Sequence, residues 1–341
     1  MTKKQSTSKP LFKKILRLIL RILLSIFIFF IVLVLFVRSP WGQDLIVGKV
    51  TDYVSEKIDT PFNIGKLYVT FSGNVSLEEL YLEDQSLDTL VYSKYLEANV
   101  AVRPLIFGNN IEVDVVEWNG LKANITRNDT IEGFNFQYIV DAFTSSQEAE
   151  SQQGTSESSE NKTQFSLGEL VFSDFDLTYT DEVTGMDSEL SLGYFELKAE
   201  SIDLQEMKFH LAQVSLTETN ISFIQFKPTP ASEQQEKSTL PWIAIDDFSI
   251  EEVQLTYNSS PEGIASEVYL DDFHFTDLDA NLDKQEVVLD ELKWKDSRVR
   301  VEIESKSTSE DQTEKLVESS PSFSWPQWKV KVHEIDFQNQ E

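Results

Sequence analysis

The densest stretch of apolar positions lies near the start of the chain and predicts a membrane-spanning helix. Residues 15–37 are apolar apart from Arg17, Arg21 and Ser25, and about 20 helical residues cross the roughly 30 Å hydrocarbon core of a bilayer. The preceding tail, residues 1–14, carries lysines and no acidic residue. Because positive flanks stay in the cytoplasm, the pattern predicts a cytoplasmic N-terminus and an exported remainder.

A cleaved signal peptide is the alternative interpretation of this stretch. Its apolar part would span only about 7–15 residues and would precede a small-x-small cleavage site. Here the apolar residues continue to Val37 and are followed by Arg38-Ser39-Pro40-Trp41, which offers no such site. The sequence therefore favours a permanent anchor.

A change of period after the anchor predicts a short amphipathic helix within residues 39–60. Ser39 is a favourable N-cap, and Pro40 suits the first helical turn. Apolar residues then recur at helical spacing, at Leu45, Val50, Tyr53, Val54 and Ile58. Pro61 lies beyond the predicted end, because proline cannot continue a helix.

From residue 62 onward, apolar and polar positions alternate, as is typical of half-buried strands. Clear examples are 66–71, 111–115 and 298–303. Three stretches rich in Ser, Glu and Gln lack an apolar period and are interpreted as linkers, at 144–164, 228–240 and 305–322. They separate a β domain, two β repeats and the start of a further repeat, at 62–143, 165–227, 241–304 and 323–341.

The two repeats are related by a shift of 78 residues, which places most apolar positions of the first on apolar positions of the second. Such repetition favours an elongated, stacked antiparallel sheet over a closed globule. Both repeats present the same apolar strand positions, and these are our candidate site residues: Leu167, Leu170, Phe172, Leu192, Phe195, Leu197, Ile245, Phe248, Ile250, Leu270, Phe273 and Phe275.

A smaller unit, apolar-x-x-apolar-x-apolar, also recurs along the chain. It is found at Leu77, Leu80 and Leu82, and again at 332, 335 and 337. A shift of the alternation inside a strand is what a β-bulge produces. An ordinary antiparallel meander gives similar spacings, so both interpretations stay open.

Charge and composition exclude several classes of function. The net charge is −29, and a domain that acidic repels nucleic acid, so no nucleic-acid partner is expected. The chain has no Cys, which excludes disulfides, thiolate metal sites and a Cys nucleophile. Apolar residues make up 40%, with 23 Phe, so we expect most of the chain to fold.

No catalytic or metal-binding constellation is visible. His210, His274 and His333 are not at metal-ligand spacing and are interpreted as structural. The run from Asp277 to Asp283 resembles the start of a calcium loop, but it lacks the required Gly and Glu at positions six and twelve. We interpret its acids as the hydrated side of a strand. The sequence predicts no enzyme, no metal and no cofactor.

Four short segments follow one another in the first part of the chain. They are Ser39-Pro40-x-Gly42-Gln43 leading to Ile64-Gly65-Lys66-Leu67, Val100-x-Val102-Arg103-Pro104-Leu105 through Phe107-Gly108, Ile111-x-Val113 through Val116-x-Trp118-Asn119-Gly120, and Arg127-Asn128 before Gly133-Phe134-Asn135-Phe136. Together they resemble the N-terminal region of the AsmA/TamB-like family of bacterial envelope proteins, most closely its TamB-like members, the translocation and assembly modules. The resemblance covers residues 1–143.

What the resemblance implies is a long β-sheet curled into an apolar groove, anchored in the bacterial inner membrane, with the bulk of the chain periplasmic. The implied function is phospholipid transport and outer-membrane biogenesis, with acyl chains as partners. The alternative is a scaffold for secretion or assembly of outer-membrane proteins, with the outer-membrane assembly machinery as partner. Two interpretations of the candidate residues stay open, a lipid-shielding groove and a core packed against a second layer.

Overall fold

The computed structural model of the chain describes residues 39–69, 74–101, 110–150, 164–204, 206–228, 240–304 and 328–339, together with isolated helical positions between 21 and 36. The tail at 1–14 and most of the anchor predicted at 15–37 therefore lie outside the described residues. Within the described part of the chain, no helix has the length and hydropathy that a bilayer span requires.

Helix α1, Pro40–Ile58, begins where the capping pattern predicts. The Ser39 side chain accepts a hydrogen bond from the Gly42 amide at 3.0 Å, and Pro40 occupies the first turn. Asp59 ends the helix in the left-handed conformation, with φ 55°. A second helix, α2 (Gln137–Glu150), extends into the segment predicted as a linker at 144–164.

All described strands belong to one open, curled sheet, so the mainly β prediction is confirmed. The strands are β1 Phe62–Val69, β2 Asn74–Glu83, β3 Thr89–Val100, β4 Asn110–Arg127, β5 Gln164–Asp181, β6 Met186–Asp203, β7 Lys208–Gln225, β8 Trp242–Ser259, β9 Ile264–Asn281, β10 Glu286–Lys295, β11 Arg298–Ile303 and β12 Lys329–Gln338. Their order in the sheet follows the chain from β1 to β10 and then β12, while β11 continues the line of β10 along β9. Helix α1 packs on β1 at one end.

The prediction of an antiparallel sheet is correct for most neighbours and wrong at three joints. Strands β4 and β5, β7 and β8, and β10 and β12 pair in parallel. A parallel pair requires a crossover of about a dozen residues or more. The connections at 128–163, 226–241 and 304–328 supply it, since each returns the chain to the end of the sheet where the previous strand line began.

The strands follow the 78-residue displacement seen in the sequence. Strands β5, β6 and β7 cover 164–181, 186–203 and 208–225, and adding 78 gives the residues of β8, of β9, and of β10 with β11. Each unit is therefore a three-stranded antiparallel meander, and a parallel joint connects it to the next. Strand β12 pairs with β10 as β8 pairs with β7.

A line of irregular positions crosses the sheet and explains the apolar-x-x-apolar spacing. The left-handed residues on this line are Glu79, Gly120, Asp174, Glu218, Glu252, Asp296 and Asn339. On β5, Phe172 and Phe175 flank Asp174, and their rings stack at 5.1 Å. Both rings lie on one face because the left-handed residue shifts the alternation by one. On β2 the alternation shifts in the same way at the left-handed Glu79, but the pairing with β1 and with β3 keeps one register on both sides of this residue, so no extra bulge residue is inserted there.

Candidate functional site: an uncovered apolar face

Two rows of apolar side chains cross the whole sheet. In the first, which we call the Trp118 row, each residue lies opposite the next: Leu67, Leu77, Leu96, Trp118, Phe172, Phe195, Leu216, Ile250, Phe273, Trp294 and Phe337. In the second, the Phe248 row, the residues are Val75, Ala98, Val116, Leu170, Leu197, Val214, Phe248, Phe275, Leu292 and Ile335. We call the side of the sheet that carries both rows the apolar face.

The candidate residues fall on or beside these rows. Eight of the twelve belong to them: Leu170, Phe172, Phe195, Leu197, Phe248, Ile250, Phe273 and Phe275. Leu192 and Leu270 lie in the next row, opposite Phe175 and Val253. Leu167 and Ile245 lie in the row beyond the Phe248 row, on the side away from the Trp118 row. Leu167 is opposite Val113, and Ile245 is opposite Leu211.

Aromatic contacts tie neighbouring strands together along the Trp118 row. The ring centroids of Trp118 and Phe172 are 6.2 Å apart, and those of Phe172 and Phe195 are 5.7 Å apart. At the other end, Trp294 contacts Phe273 at 5.7 Å and Phe337 at 5.8 Å, both edge to face. Each such pair contributes about 0.5–1.5 kcal/mol beyond the area that it buries.

No second layer covers the apolar face within the described part of the chain. There, no strand contacts another strand except its neighbours in the sheet, and the one helix that packs on a strand is α1, on β1 at one end. Yet Phe175 is 5% exposed, Leu192 7% and Val253 5%. Such low exposure without a covering layer is what the inside of a curled sheet produces, because curvature crowds side chains together. The interpretation as a core packed against a second layer therefore has no counterpart in the described residues.

The opposite face is polar and charged. Ion pairs cross it between neighbouring strands or along one strand, as for Lys66 with Glu78 at 2.7 Å and Lys293 with Glu291 at 2.7 Å. The Tyr95 hydroxyl donates to Glu97, and this hydrogen bond is the main reason that the pKa of Tyr95 rises to about 12. The charged side chains of this face interact with water, which the apolar face cannot do.

A buried carboxylate, Asp181, connects the end of β5 to the end of β4 through hydrogen bonds. Asp181 is fully buried and accepts hydrogen bonds from the Arg127 guanidinium, from the Thr184 hydroxyl at 2.6 Å and from the Tyr179 hydroxyl at 3.1 Å. The Arg127 hydrogen bonds contribute most to holding the pKa of Asp181 well below its usual range. The guanidinium also lies over the Phe134 ring, 4.6 Å from its centroid.

The segment after Arg127, where the fourth family-like motif lies, has a local structural role. The Asn135 side chain accepts from the Thr126 amide at 3.0 Å and donates to the Asn124 carbonyl at 3.0 Å. It also donates to the buried Asp84 at 3.2 Å. This one amide therefore joins the β2–β3 turn to the end of β4.

The histidines and the acidic run make structural contacts on the polar face. His210 pairs with Asp246 at 2.7 Å and His333 with Asp290 at 3.0 Å, each across a parallel joint, and His274 contacts a neighbouring Asp at 3.1 Å. In the acidic run, Asp279 accepts from the Trp242 indole at 2.8 Å, and Asp283 accepts from a backbone amide. Among the described residues, no three His, Asp or Glu side chains are grouped closely enough to hold a metal ion.

The candidate set from the sequence missed several apolar residues of this face. Trp118, Phe175, Leu216, Trp294 and Phe337 lie on the apolar face beside the candidates. The signal was present, because the 78-residue shift places Leu216 on Trp294. The candidate set was restricted to two strands of each repeat. The third strand, which carries Leu216 in the first repeat and Trp294 in the second, was therefore left out.

Comparison with known proteins adds no assignment. No family model matches the chain, and no curated protein matches it. The resemblance to AsmA/TamB-like proteins therefore stays a prediction that the four motifs carry.

Proposed function

We propose that this protein shields phospholipid acyl chains on its apolar face and takes part in phospholipid transport and outer-membrane biogenesis. In this proposal, residues 15–37 anchor the chain in the bacterial inner membrane and the sheet stands in the periplasm. The observation that carries it is an apolar face that crosses every described strand line and that, beyond α1 at β1, no described helix or sheet covers.

The energetics of lipid transfer require such a surface. Exposing an acyl chain to water costs about 0.8 kcal/mol per CH₂. A chain of roughly sixteen carbons would therefore cost about 12 kcal/mol to move unshielded. The Trp118 row joins eleven residues at about 4.8 Å per strand, so the apolar track is roughly 48 Å long.

The alternative, a scaffold for assembling outer-membrane proteins, would use a sheet edge rather than a face. A client strand would add to that edge through main-chain hydrogen bonds. The continuous rows favour lipid shielding, because strand addition requires no apolar surface across the rest of the sheet.

Site-specific photocrosslinking tests the proposal with a matched control. Phe195 lies on the apolar face, and the preceding aromatic residue, Tyr194, lies on the polar face opposite Ser173 and Thr217. Benzoylphenylalanine replaces each of them in turn in the full chain, expressed in bacteria whose phospholipids are labelled with radioactive phosphate. We expect a labelled lipid adduct at position 195 and none above background at position 194.

Native mass spectrometry of the purified chain gives a second readout, since shielded phospholipid should co-purify in stoichiometric amounts. Equal labelling at both positions would mean that the contact is adventitious. No labelling at either position, together with recovery of outer-membrane proteins on the crosslinker, would favour the scaffold instead.

A further inference from the structure

The polar face is concave over the strands from β2 to β8. One depression, of about 700 Å³, lies over β2 to β5, and a second, of about 270 Å³, lies over β5 to β8. Asp176 and Thr178 line both, so the two depressions form one continuous groove, which we call the polar cleft. A twisted sheet is saddle-shaped, and each of its faces is therefore concave along one diagonal.

The polar cleft lies on the side of the sheet away from the apolar rows. On β5, Asp176 and Thr178 alternate with Phe175 and Leu177, which pack together on the apolar face. Successive side chains of a strand point to opposite faces. The register then forms a row along the cleft in which each residue lies opposite the next: Tyr92, Lys122, Asp176, Ser191, Asn220 and Gln254.

Uncharged hydrogen-bonding groups line the half of the cleft over β6 to β8. Five lining side chains there carry a hydroxyl or an amide, and Glu189 is the one acid beside them: Ser191, Asn220, Ser222, Gln254 and Thr256. The exposed amides of Asn220 and Gln254 have no hydrogen-bond partner among the described residues. Because an amide both donates and accepts, these two remain available to a polar ligand.

Two tyrosine rings line the other half of the cleft. Tyr81 and Tyr92 lie opposite each other on β2 and β3. The face of an aromatic ring is electron-rich and attracts the C–H groups of a flat ligand. Next to the rings, Lys122 and Asp176 form an exposed ion pair at 3.4 Å, which adds a donor and an acceptor.

A linear, neutral oligosaccharide has the chemistry that this cleft matches. Its hydroxyls donate and accept, as the amides and hydroxyls of the cleft do, and each sugar ring has an apolar C–H face that stacks on an aromatic ring. Because it is uncharged, the net charge of −29 does not repel it. Strands repeat at about 4.8 Å, close to the length of one sugar ring, so successive strands can contact successive rings.

An extended peptide matches the cleft less well. Peptides that bind sheets use main-chain hydrogen bonds to a free strand edge. The backbone groups of β3 to β8 along the cleft are already paired with neighbouring strands on both sides, so they leave none for a peptide.

We propose that the polar cleft binds a linear, neutral oligosaccharide. Its rings stack on Tyr81 and Tyr92, and its hydroxyls bond to Asn220 and Gln254. The cleft and the apolar face are opposite sides of the sheet, so this site stands whether or not the apolar face binds lipid.

Isothermal titration calorimetry of the full chain tests the proposal, with the β-1,4-linked hexamer of N-acetylglucosamine as the probe. The detergent has no sugar headgroup, so that it does not compete. We expect saturable binding that Asn220→Ala and Gln254→Ala each weaken about fivefold, since each removes one hydrogen-bonding amide. The matched control is Asn258→Ala, an exposed amide on β8 that does not line the cleft, and it should leave the affinity unchanged.

A second pair of variants tests the aromatic end. Tyr92→Phe keeps the ring and should retain binding, whereas Tyr92→Leu removes it and should weaken binding about tenfold. Circular dichroism of each variant reports whether the sheet persists.

Several outcomes would overturn the proposal. One is a chain that binds no probe at millimolar concentration. Another is binding that the Asn220 and Gln254 variants leave unchanged, or that Asn258→Ala weakens as much, because the sugar would then lie elsewhere. Photocrosslinking at position 220 in cells that recovers a protein and no glycan would make a protein the occupant.

Discussion

Among single residues, Asp181 has the largest consequence for stability that the structure indicates. It is fully buried, and one partner, the Arg127 side chain, is only 22% exposed. Removing one member of a buried pair leaves the other unpaired, which costs several kcal/mol when both are buried.

We expect Asp181→Asn to lower the free energy of unfolding by about 2 kcal/mol, a reduced value because Arg127 keeps some contact with water. The measurement is urea unfolding of the full chain, followed by Trp fluorescence. The control is Asp176→Asn, which removes an exposed pair with Lys122 at 3.4 Å and should cost less than about 0.5 kcal/mol. Equal effects in the two variants would contradict the role given to Asp181.

The same carboxylate predicts a pH dependence with a definite sign. Because the pKa of Asp181 is lowered in the folded state, its stabilisation is present above the unfolded pKa, about 3.9, and is lost as pH falls towards the folded pKa. The stability difference between the native chain and Asp181→Asn should therefore stay constant from about pH 7 to 5 and shrink below about pH 4. A difference that shrinks already near pH 6 would implicate another group.

At the scale of elements, the backbones of neighbouring strands come unusually close to each other along the line of left-handed residues. Gly193 on β6 lies against Glu218 on β7, and a Cβ at Gly193 would come within 2.6 Å of the Glu218 backbone oxygen. The absence of a side chain at this position lets the two strands keep their pairing through the irregular position.

We expect Gly193→Ala to destabilise the sheet by about 2 kcal/mol, because backbone atoms rather than a flexible side chain must move. Gly48→Ala in α1 is the matched control, since a Cβ there meets nothing within 4 Å. That change should stabilise the chain by about 0.5–1 kcal/mol through helix propensity. Urea unfolding of both variants checks the signs, and a neutral Gly193→Ala would show that the strands separate easily.

How far the elements could be predicted follows from what each pattern encodes. Alternation identifies a strand and its faces, as for 298–303, which is β11, and the Ser39-Pro40 cap identifies the start of α1. Alternation does not encode strand direction, so the parallel joints were missed. The direction depends on connection length, and the 16 residues between β7 and β8 were a usable signal for a crossover.

For the whole molecule, the sequence predicted which positions are apolar but not what lies over them. Phe172 and Phe195 have the same pattern whether a second layer covers them or not. Only the contacts distinguish the two cases, because β5 and β6, which carry these residues, contact only their neighbours in the sheet among the described elements. The continuity of the rows through β1–β4 and β12 also needed the register, since no repeat of 78 residues covers those strands.

Tryptophan fluorescence offers a test of the face as a single surface. Trp118 and Trp294 lie in the Trp118 row, whereas Trp242 bonds to Asp279 on the polar face. Bromine on an acyl chain quenches indole fluorescence only at short range. If acyl chains occupy the row, brominated phospholipid should quench Trp118 and Trp294 and leave Trp242 unaffected.

The expected outcome is that Trp118→Phe with Trp294→Phe abolishes most of the quenching, while Trp242→Phe leaves it unchanged. Trp41 is 68% exposed and follows the predicted anchor, and the chain has two further tryptophans, Trp325 and Trp328. All three are replaced by Phe in every variant, so that only Trp118, Trp242 and Trp294 report. Phe keeps the aromatic contacts of the row and should preserve the fold. Quenching that persists without the two row tryptophans would place the lipid elsewhere on the molecule.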